Sequence, residues 1–248
     1  MGYQSELFQG NKEAIFHEAC HLLKLLEQGG HEAYIVGGAV RDALLKRQVN
    51  DLDIATSASP EQVQALFSRT VATGLKHGTV TVVTPHRTFE VTTFRREGPY
   101  NDALRPVYVL FVSDLETDLA RRDFTINAMA CNRQGKLIDP FNGRTDLQNK
   151  RIRSVGRPEA RFQEDGLRIL RALRFAAELS FDIAPCTRRA MGSAKTILRR
   201  LSIERVTSEL DKLLSAPQPG KGLRLLWYEQ LVNELKPLLT QQTVLPTE

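Results

Sequence analysis

The chain has 248 residues, 42% hydrophobic and 25% charged, with 34 Lys and Arg against 29 Asp and Glu for a formal charge of +5. This is the balance of an ordinary globular protein, long enough to bury a core in one large domain or two smaller ones. Its three cysteines (Cys20, Cys131 and Cys186) are odd in number and far apart, which argues against a disulfide framework, and no CxxC pairing stands ready for zinc. Residues 1–11 lack the basic start and apolar core of a signal peptide, and no apolar run reaches the roughly 18 residues of a membrane span. A cytoplasmic protein is expected, with no membrane partner and a mild basic lean toward an anionic one.

In chain order, Ile15, Ala19, Leu22, Leu23 and Leu26 recur at helical spacing, so Lys12–Gln28 reads as an amphipathic helix stopped by Gly29-Gly30. A short strand, Ala33–Val36, runs into Gly37-Gly38 and a helix, Ala39–Lys46. A second strand is expected over Asp51–Ala55, and Ser59-Pro60 opens a helix through Phe67. Thr79–Val83 and Thr88–Phe94 are β-branched and aromatic around Thr84-Pro85-His86-Arg87, the pattern of a hairpin. Arg95–Val107 reads as a loop, and Ala128–Asn132 with Lys136–Ile138 as a further hairpin. Beyond about residue 140 helical signals take over, at Pro158–Leu179, Cys186–Arg200, Ile203–Leu214 and roughly Leu223–Leu239.

The expected fold class is therefore α+β, with a mixed sheet and flanking helices in a head over 1–140. An all-helical neck over 141–216 follows, and 217–248 begin a further helical region. Trp227 and Tyr228 are assigned to its core, and His77 to a turn rather than to acid–base chemistry.

Three groups of residues could carry chemistry. In a strand Asp51 and Asp53 share a face, because side chains alternate with period two, and two carboxylates so close repel unless a cation lies between them. Mg²⁺ uses one or two carboxylates together with substrate phosphates. Two solvated acids on an exposed face explain a lone DxD equally well. Glu90, between Phe89 and Val91, would join the pair if its strand were a neighbour, and a solvated outer face is again the plain alternative.

Val36-Gly37-Gly38-Ala39-Val40-Arg41-Asp42 is a strand, a glycine turn and a helix start, able to bring backbone N–H groups and the Arg41 guanidinium to a phosphate. A tight structural turn would look the same, and neither GxxxxGK[ST] nor GxGxxG is present. Asp165, Arg168, Arg171 and Arg174 step by three along the helix expected there, forming one stripe. Spacing alone suits a solvated charged face with Glu164–Arg168 and Asp165–Arg168 pairs.

The order of motifs is more specific than any one of them. GGAVRD (37–42), DLDIAT (51–56), HGTV (77–80), FEVTTFR (89–95), RRDFTINAMA (121–130), IDPFNG (138–143) and EDGLRILRALRF (164–175) follow one another over about residues 30 to 215. In these motifs the chain resembles the class II tRNA nucleotidyltransferases, the family of bacterial CCA-adding enzymes and bacterial poly(A) polymerases. The resemblance implies a nucleotidyltransferase head and a helical neck. It implies that Asp51 and Asp53 bind catalytic Mg²⁺ with Glu90 in support. Gly38 and Arg41 would hold the triphosphate, and Arg122, Asp123 and Asn127 would face the sugar and phosphates.

Asp165 and Arg168 would select the base. Cytosine and adenine each offer an amine donor beside a ring-nitrogen acceptor, which a carboxylate and a guanidinium complement, and uracil and guanine offer the reverse. Arg171 and Arg174 would support them.

The implied partners are the tRNA 3′ end, CTP and ATP, and the implied reaction is CCA addition and repair with release of pyrophosphate. Addition of A alone, or poly(A) synthesis, shares the same motifs. A non-catalytic RNA-binding module is disfavoured by the intact acids, and a metal phosphohydrolase by the missing HD motif.

Two departures stand out. The segment from Arg95 to Ala120 has the length expected of members that add the terminal A, yet Leu104 stands where such members carry the first of two arginines before Pro106. The sequence ends at Glu248, where the resemblance implies that relatives usually continue into helical body and tail domains; a fragment and a natural short form are both open expectations. The oligomeric state stays open, a homodimer included.

Overall fold

The computed structural model describes residues 13–98, 100–101 and 105–240. Leu104, which the sequence singles out, lies outside the described residues. The described residues divide into two compact units, with bounds Met1–Gly98 and Tyr108–Leu147 for the first and Pro99–Val107 and Gln148–Glu248 for the second.

In the first unit, α1 (Glu13–Gln28) leads into β1 (Ala33–Val36), α2 (Gly38–Leu44), β2 (Asp53–Thr56), α3 (Pro60–Leu66) and β3 (Thr70–Gly74). β4 (Thr79–Val83) and β5 (Thr88–Thr93) form the expected hairpin. Ser59 caps α3 in a capping box with Gln62, with Pro60 in the first turn, so local chemistry alone sets where that helix starts.

Arg95–Val107, expected to be a loop, instead begins with β6 (Arg95–Glu97). A small ladder, β7 (Tyr100–Asn101) with β8 (Arg105–Pro106), follows in the second unit. β9 (Val109–Phe111) returns antiparallel to β6, pairing Arg95 with Phe111 and Glu97 with Val109. Asn101 and Pro106, residue types that read as turn formers, are in the paired strands, and strands of two or three residues are too short to show a period. α4 (Leu115–Ala120), β10 (Ala130–Cys131), β11 (Leu137–Ile138) and α5 (Gly143–Gln148) complete the series.

Seven strands form one mixed sheet in the order β11-β10-β1-β2-β5-β4-β3. β3 was not foreseen, because Thr70–Gly74 is short and its middle residues are exposed. β1 and β2 are antiparallel, and β2 and β5 are parallel. The pairings Ile35↔Ile54↔Val91↔Val80 make one face of the sheet an apolar row, and all four side chains are buried. α1 packs on β1 and β2, and α3 on β4 and β5, through stripes that bury Leu22, Leu23, Leu26 and Val63. The next row, Val36↔Asp53↔Glu90↔Thr81, belongs to the opposite face. This alternation lets a strand bury a core with one set of side chains and present acids with the other.

Besides the β7–β8 ladder, the second unit contains β12 (Arg151–Ile152), α6 (Pro158–Glu164), α7 (Leu167–Leu179), β13 (Asp182–Ile183), α8 (Pro185–Ala194), α9 (Ile203–Leu214), α10 (Pro219–Tyr228) and α11 (Val232–Thr240). It is almost wholly helical, with one two-residue parallel pairing.

Three expectations need correction here. The helix read over Pro158–Leu179 is broken, because Asp165 is extended (φ −142°, ψ 105°) and ends α6. The span Leu223–Leu239 is likewise two helices, with Gln230 left-handed (φ 57°) between them. Trp227 and Tyr228, assigned to a core, are 71% and 70% exposed, because α10 buries Gly222 and Leu226 instead. No helix among the described residues is long and apolar enough to cross a membrane.

Leu23 is fully buried in α1. Leu23→Ala should destabilise the first unit by about 3 kcal/mol through lost transfer energy and a cavity. Guanidinium unfolding should show a lower midpoint with an unchanged slope.

Candidate nucleotidyltransferase site

The register of β2 builds the first part of the site. Asp53 lies opposite Val36, the last residue before the glycine turn, on one side and opposite Glu90 on the other. The sequence reading is corrected in one respect: Asp51 precedes the strand, which begins at Asp53, so period-two alternation does not fix its direction. Asp51 nevertheless acts on Asp53 electrostatically. The Asp53 carboxyl is accessible, yet its surroundings desolvate it. That desolvation, then the charge of Glu90, and more weakly that of Asp51, raise its pKa, opposed by Arg122.

Arg122 is the cation whose charge acts on Asp53. Gly37 has φ 73°, a conformation open to glycine, and a Cβ there would meet Arg122 Nη1 at 2.9 Å. The guanidinium thus lies against the turn itself. It is held by Asp118, whose Oδ2 accepts from Arg122 Nη2 at 3.3 Å. Asp118 is fully buried, and its Oδ1 also accepts from Arg121 Nε (2.9 Å) and from the backbone N–H of Arg95 (3.2 Å).

Three arginines, Arg95, Arg121 and Arg122, so gather around Asp118 and Glu97. Burial, and next the charge of Arg121, lower Arg95 to about 10, which leaves it charged at neutral pH. Burial likewise lowers Arg122, countered chiefly by Asp118. Asp118 and Glu97 were not picked out from the sequence. Asp118-x-x-Arg121-Arg122 does carry a readable signal, the i,i+3 and i,i+4 spacing of helical ion pairs.

Arg41, Asp123 and Asn127 also meet. Arg41 is 6% exposed and makes two bonds to Asp42, Nε–Oδ1 at 3.0 Å and Nη2–Oδ2 at 2.8 Å. Its Nη1 donates to Asn127 Oδ1 at 2.8 Å, and Asn127 Nδ2 donates to Asp123 Oδ1 at 3.1 Å. This chain braces the helix after the glycine turn against the RRDFTINA segment. A Cβ on Gly38 would lie 3.6 Å from Arg41 Nη2.

The exclusion of a zinc site for want of histidine pairs at helical spacing needs correction, because His17-Glu18-Ala19-Cys20-His21 in α1 has the HExxH spacing. Glu18 is committed elsewhere, to Thr84 Oγ1 (2.7 Å) and Arg87 Nε (3.2 Å). Among the described residues no three His, Cys, Asp or Glu side chains are placed to hold a metal ion by themselves.

The second unit carries its own polar constellation. Asp165, expected on a helix, occupies the break between α6 and α7. Its Oδ1 accepts from the Leu167 N–H at 3.0 Å and its Oδ2 from Arg205 Nη2 at 2.9 Å. Arg168 is buried, and its Nη1 donates to Glu164 Oε2 (2.7 Å) and to the Arg161 carbonyl (3.1 Å). Arg174 pairs with Glu209 (2.7 Å) and Glu178 (2.9 Å) and lies 4.0 Å over the Phe175 ring. Arg171 reaches Glu209 at 3.9 Å. Arg205 and Glu209 were missed because they lie about one helix pair away in sequence and only packing brings them to α7.

A mixed sheet presenting neighbouring acids beside a glycine turn and an arginine is the architecture of a nucleotidyltransferase head. Residues 33–153 match the Poly A polymerase head domain, and residues 180–243 match the family described as a probable RNA and SrmB-binding site of polymerase A. The chain belongs to the class II tRNA nucleotidyltransferase family of CCA-adding enzymes and bacterial poly(A) polymerases.

It is 49% identical over 223 residues to a CCA-adding enzyme of Bacillus subtilis, covering 90% of this chain and 56% of that protein. A CCA-adding enzyme of Streptococcus pyogenes is 48% identical over 227 residues, with 92% and 56% covered. The solved CCA-adding enzyme of Bacillus stearothermophilus in complex with CTP aligns with a TM-score of 0.80 at 48% identity, covering 85% of this chain and 51% of the other. That of Thermotoga maritima with tRNA-CCA aligns at 0.79 and 28%, covering 96% and 56%. The chain thus spans about half the length of the curated relatives it matches.

Gly37→Ala tests the arginine's seat. Gly30 has a similar φ of 84° with nothing within 4 Å of an added Cβ. Gly30→Ala should therefore cost only backbone strain, about 1 kcal/mol. Gly37→Ala should cost more in thermal unfolding and also weaken nucleotide binding, because Arg122 must move.

Proposed function

We propose that the chain catalyses template-independent addition of nucleotides to the 3′ end of tRNA, building and repairing the terminal CCA from CTP and ATP. The observation that carries this reading is the row Val36↔Asp53↔Glu90, which sets acids beside the glycine turn with Arg122 against that turn. The relatives support it, being CCA-adding enzymes, one solved with CTP and another with tRNA-CCA.

Asp51 and Asp53 would hold Mg²⁺, with Glu90 as their neighbour. The donor set fits, since Asp53 is raised first by burial and then by the charges of Glu90 and Asp51, a repulsion that a cation relieves, and Mg²⁺ characteristically completes its shell with water and substrate phosphates. When bound, divalent ions supply Lewis-acid stabilisation to the attacking and leaving oxygens.

In the reaction the RNA 3′-oxygen forms a bond to the α-phosphorus of the incoming nucleotide as the bond to the bridging oxygen of pyrophosphate breaks. The hydroxyl proton passes to water. No protein nucleophile is needed. Arg122, fixed by Asp118 and Gly37, would offer charge to the triphosphate, with Gly38 in the turn close by. Arg41, Asp123 and Asn127 brace that turn. Asp165 would accept from the exocyclic amine of cytosine or adenine, and Arg168 would donate to the ring nitrogen beside it. Arg171 and Arg174 act from the same helix, Arg174 chiefly by holding α7 to Glu209.

The test is incubation with Mg²⁺ and tRNA transcripts ending before CCA, after C and after CC, with CTP and ATP singly and together. Growth of the shortest transcript by CCA, lost in Asp53→Ala, is the expected result. Extension confined to ATP on the CC-ending transcript would replace it with A addition, and long ATP-only tails would replace it with poly(A) synthesis. Asp53→Ala should lower turnover at least about a thousandfold, since it removes a carboxylate that would hold the divalent ion and with it the positive charge that would face the reacting phosphates.

A further inference from the structure

We infer that Arg205, in the first turn of α9, is a positioning residue that sets nucleobase selectivity by fixing the carboxylate of Asp165. This rests on the reading of Asp165 and Arg168 as the groups that meet the base.

Asp165 caps the end of α6, its N–H bonded to the Arg161 carbonyl at 3.3 Å. It is extended between α6 and α7, so regular helix geometry does not set the direction of its side chain. Two donors from different elements do so instead. The Leu167 N–H of α7 takes Oδ1 at 3.0 Å, and Arg205 Nη2 of α9 takes Oδ2 at 2.9 Å. Each oxygen keeps a further lone-pair direction for the amine of a base. Arg168 is fixed in parallel by Glu164 and the Arg161 carbonyl, and Glu164 by Arg161 Nη1 at 2.7 Å.

Both members of the pair are thus set before any nucleotide arrives. Base reading needs such preorganisation, because its selectivity comes from a donor and an acceptor held at one spacing. Cutting the Arg205 bond leaves Oδ1 as a pivot and Oδ2 free to swing. A swinging acceptor tolerates the wrong donor pattern. One turn further along α9, Glu209 holds Arg174 and reaches Arg171, so α9 supports the polar edge of α7 at two successive turns.

Arg205→Ala and Arg205→Lys are compared with the unaltered chain and with Asp165→Asn. The readouts are kcat/KM for CTP and UTP on a primer RNA, calorimetric affinity for the same two nucleotides without turnover, and the melting temperature. The expected result is a CTP-over-UTP preference reduced on the order of tenfold in Arg205→Ala, partly restored in Arg205→Lys, with little change in melting temperature. An equal loss for both nucleotides, leaving the ratio intact, would overturn the inference and make Arg205 a phosphate contact or a purely structural residue. A preference lost in Asp165→Asn but kept in Arg205→Ala would overturn it too. If Asp165→Asn itself leaves the ratio unchanged, the base-reading assignment has failed, and the inference with it.

Discussion

The parallel pairing of β2 with β5 is the constraint on which the first unit depends. It sets Asp53 beside Glu90, two acids in adjacent strands on one face, where like charges directly opposite are destabilising. The opposite face recovers that cost with an unbroken apolar row, Ile35, Ile54, Val91 and Val80, all buried. The acids are also not left alone. Arg122 lies in their field and lowers Asp53 against the combined push of its surroundings and neighbours. A sheet that tolerates this repulsion is one in which a cation, from the protein or from solution, has a place.

The position of that arginine is itself a consequence of burial. Asp118 is buried without exposure and would be costly there if unpaired. Its two oxygens take Arg121, Arg122 and the Arg95 backbone, so the carboxylate fixes the cations as much as they satisfy it. The absent side chain at Gly37 leaves the space that the Arg122 guanidinium fills. Glu209 plays the matching part in the second unit, a buried acid holding Arg174 and reaching Arg171 and Lys212. In both units buried carboxylates orient long basic side chains that would otherwise keep their rotamer freedom.

The same logic shows where the sequence could be read and where it could not. The glycine turn, the acid at 53, Glu90 and the RRDFTINA segment were found because each has a local signature. Asp51 was assigned to a strand it only precedes, because period-two alternation was extended past the strand's end. Asp165 was placed on a helix because a step of three continues through 165, 168, 171 and 174. The break arises from the extended backbone at Asp165, and side-chain spacing does not report it. Trp227 and Tyr228 read as core residues, but helix orientation turns Gly222 and Leu226 inward instead.

The sequence by itself determined the α+β class, most strand and helix positions, and the residue types able to hold a divalent ion, a triphosphate and a base edge. Periodicity, capping and motif order are local properties of a chain, so they survive in one dimension. Only the tertiary structure decided that Asp53 faces Glu90, that Asp118 seats Arg122 against Gly37, and that Arg205 reaches Asp165 across 40 residues. These are pairings between separate elements. Strand register and helix packing set them, and the energy that selects them comes from burying apolar surface far from the polar atoms involved.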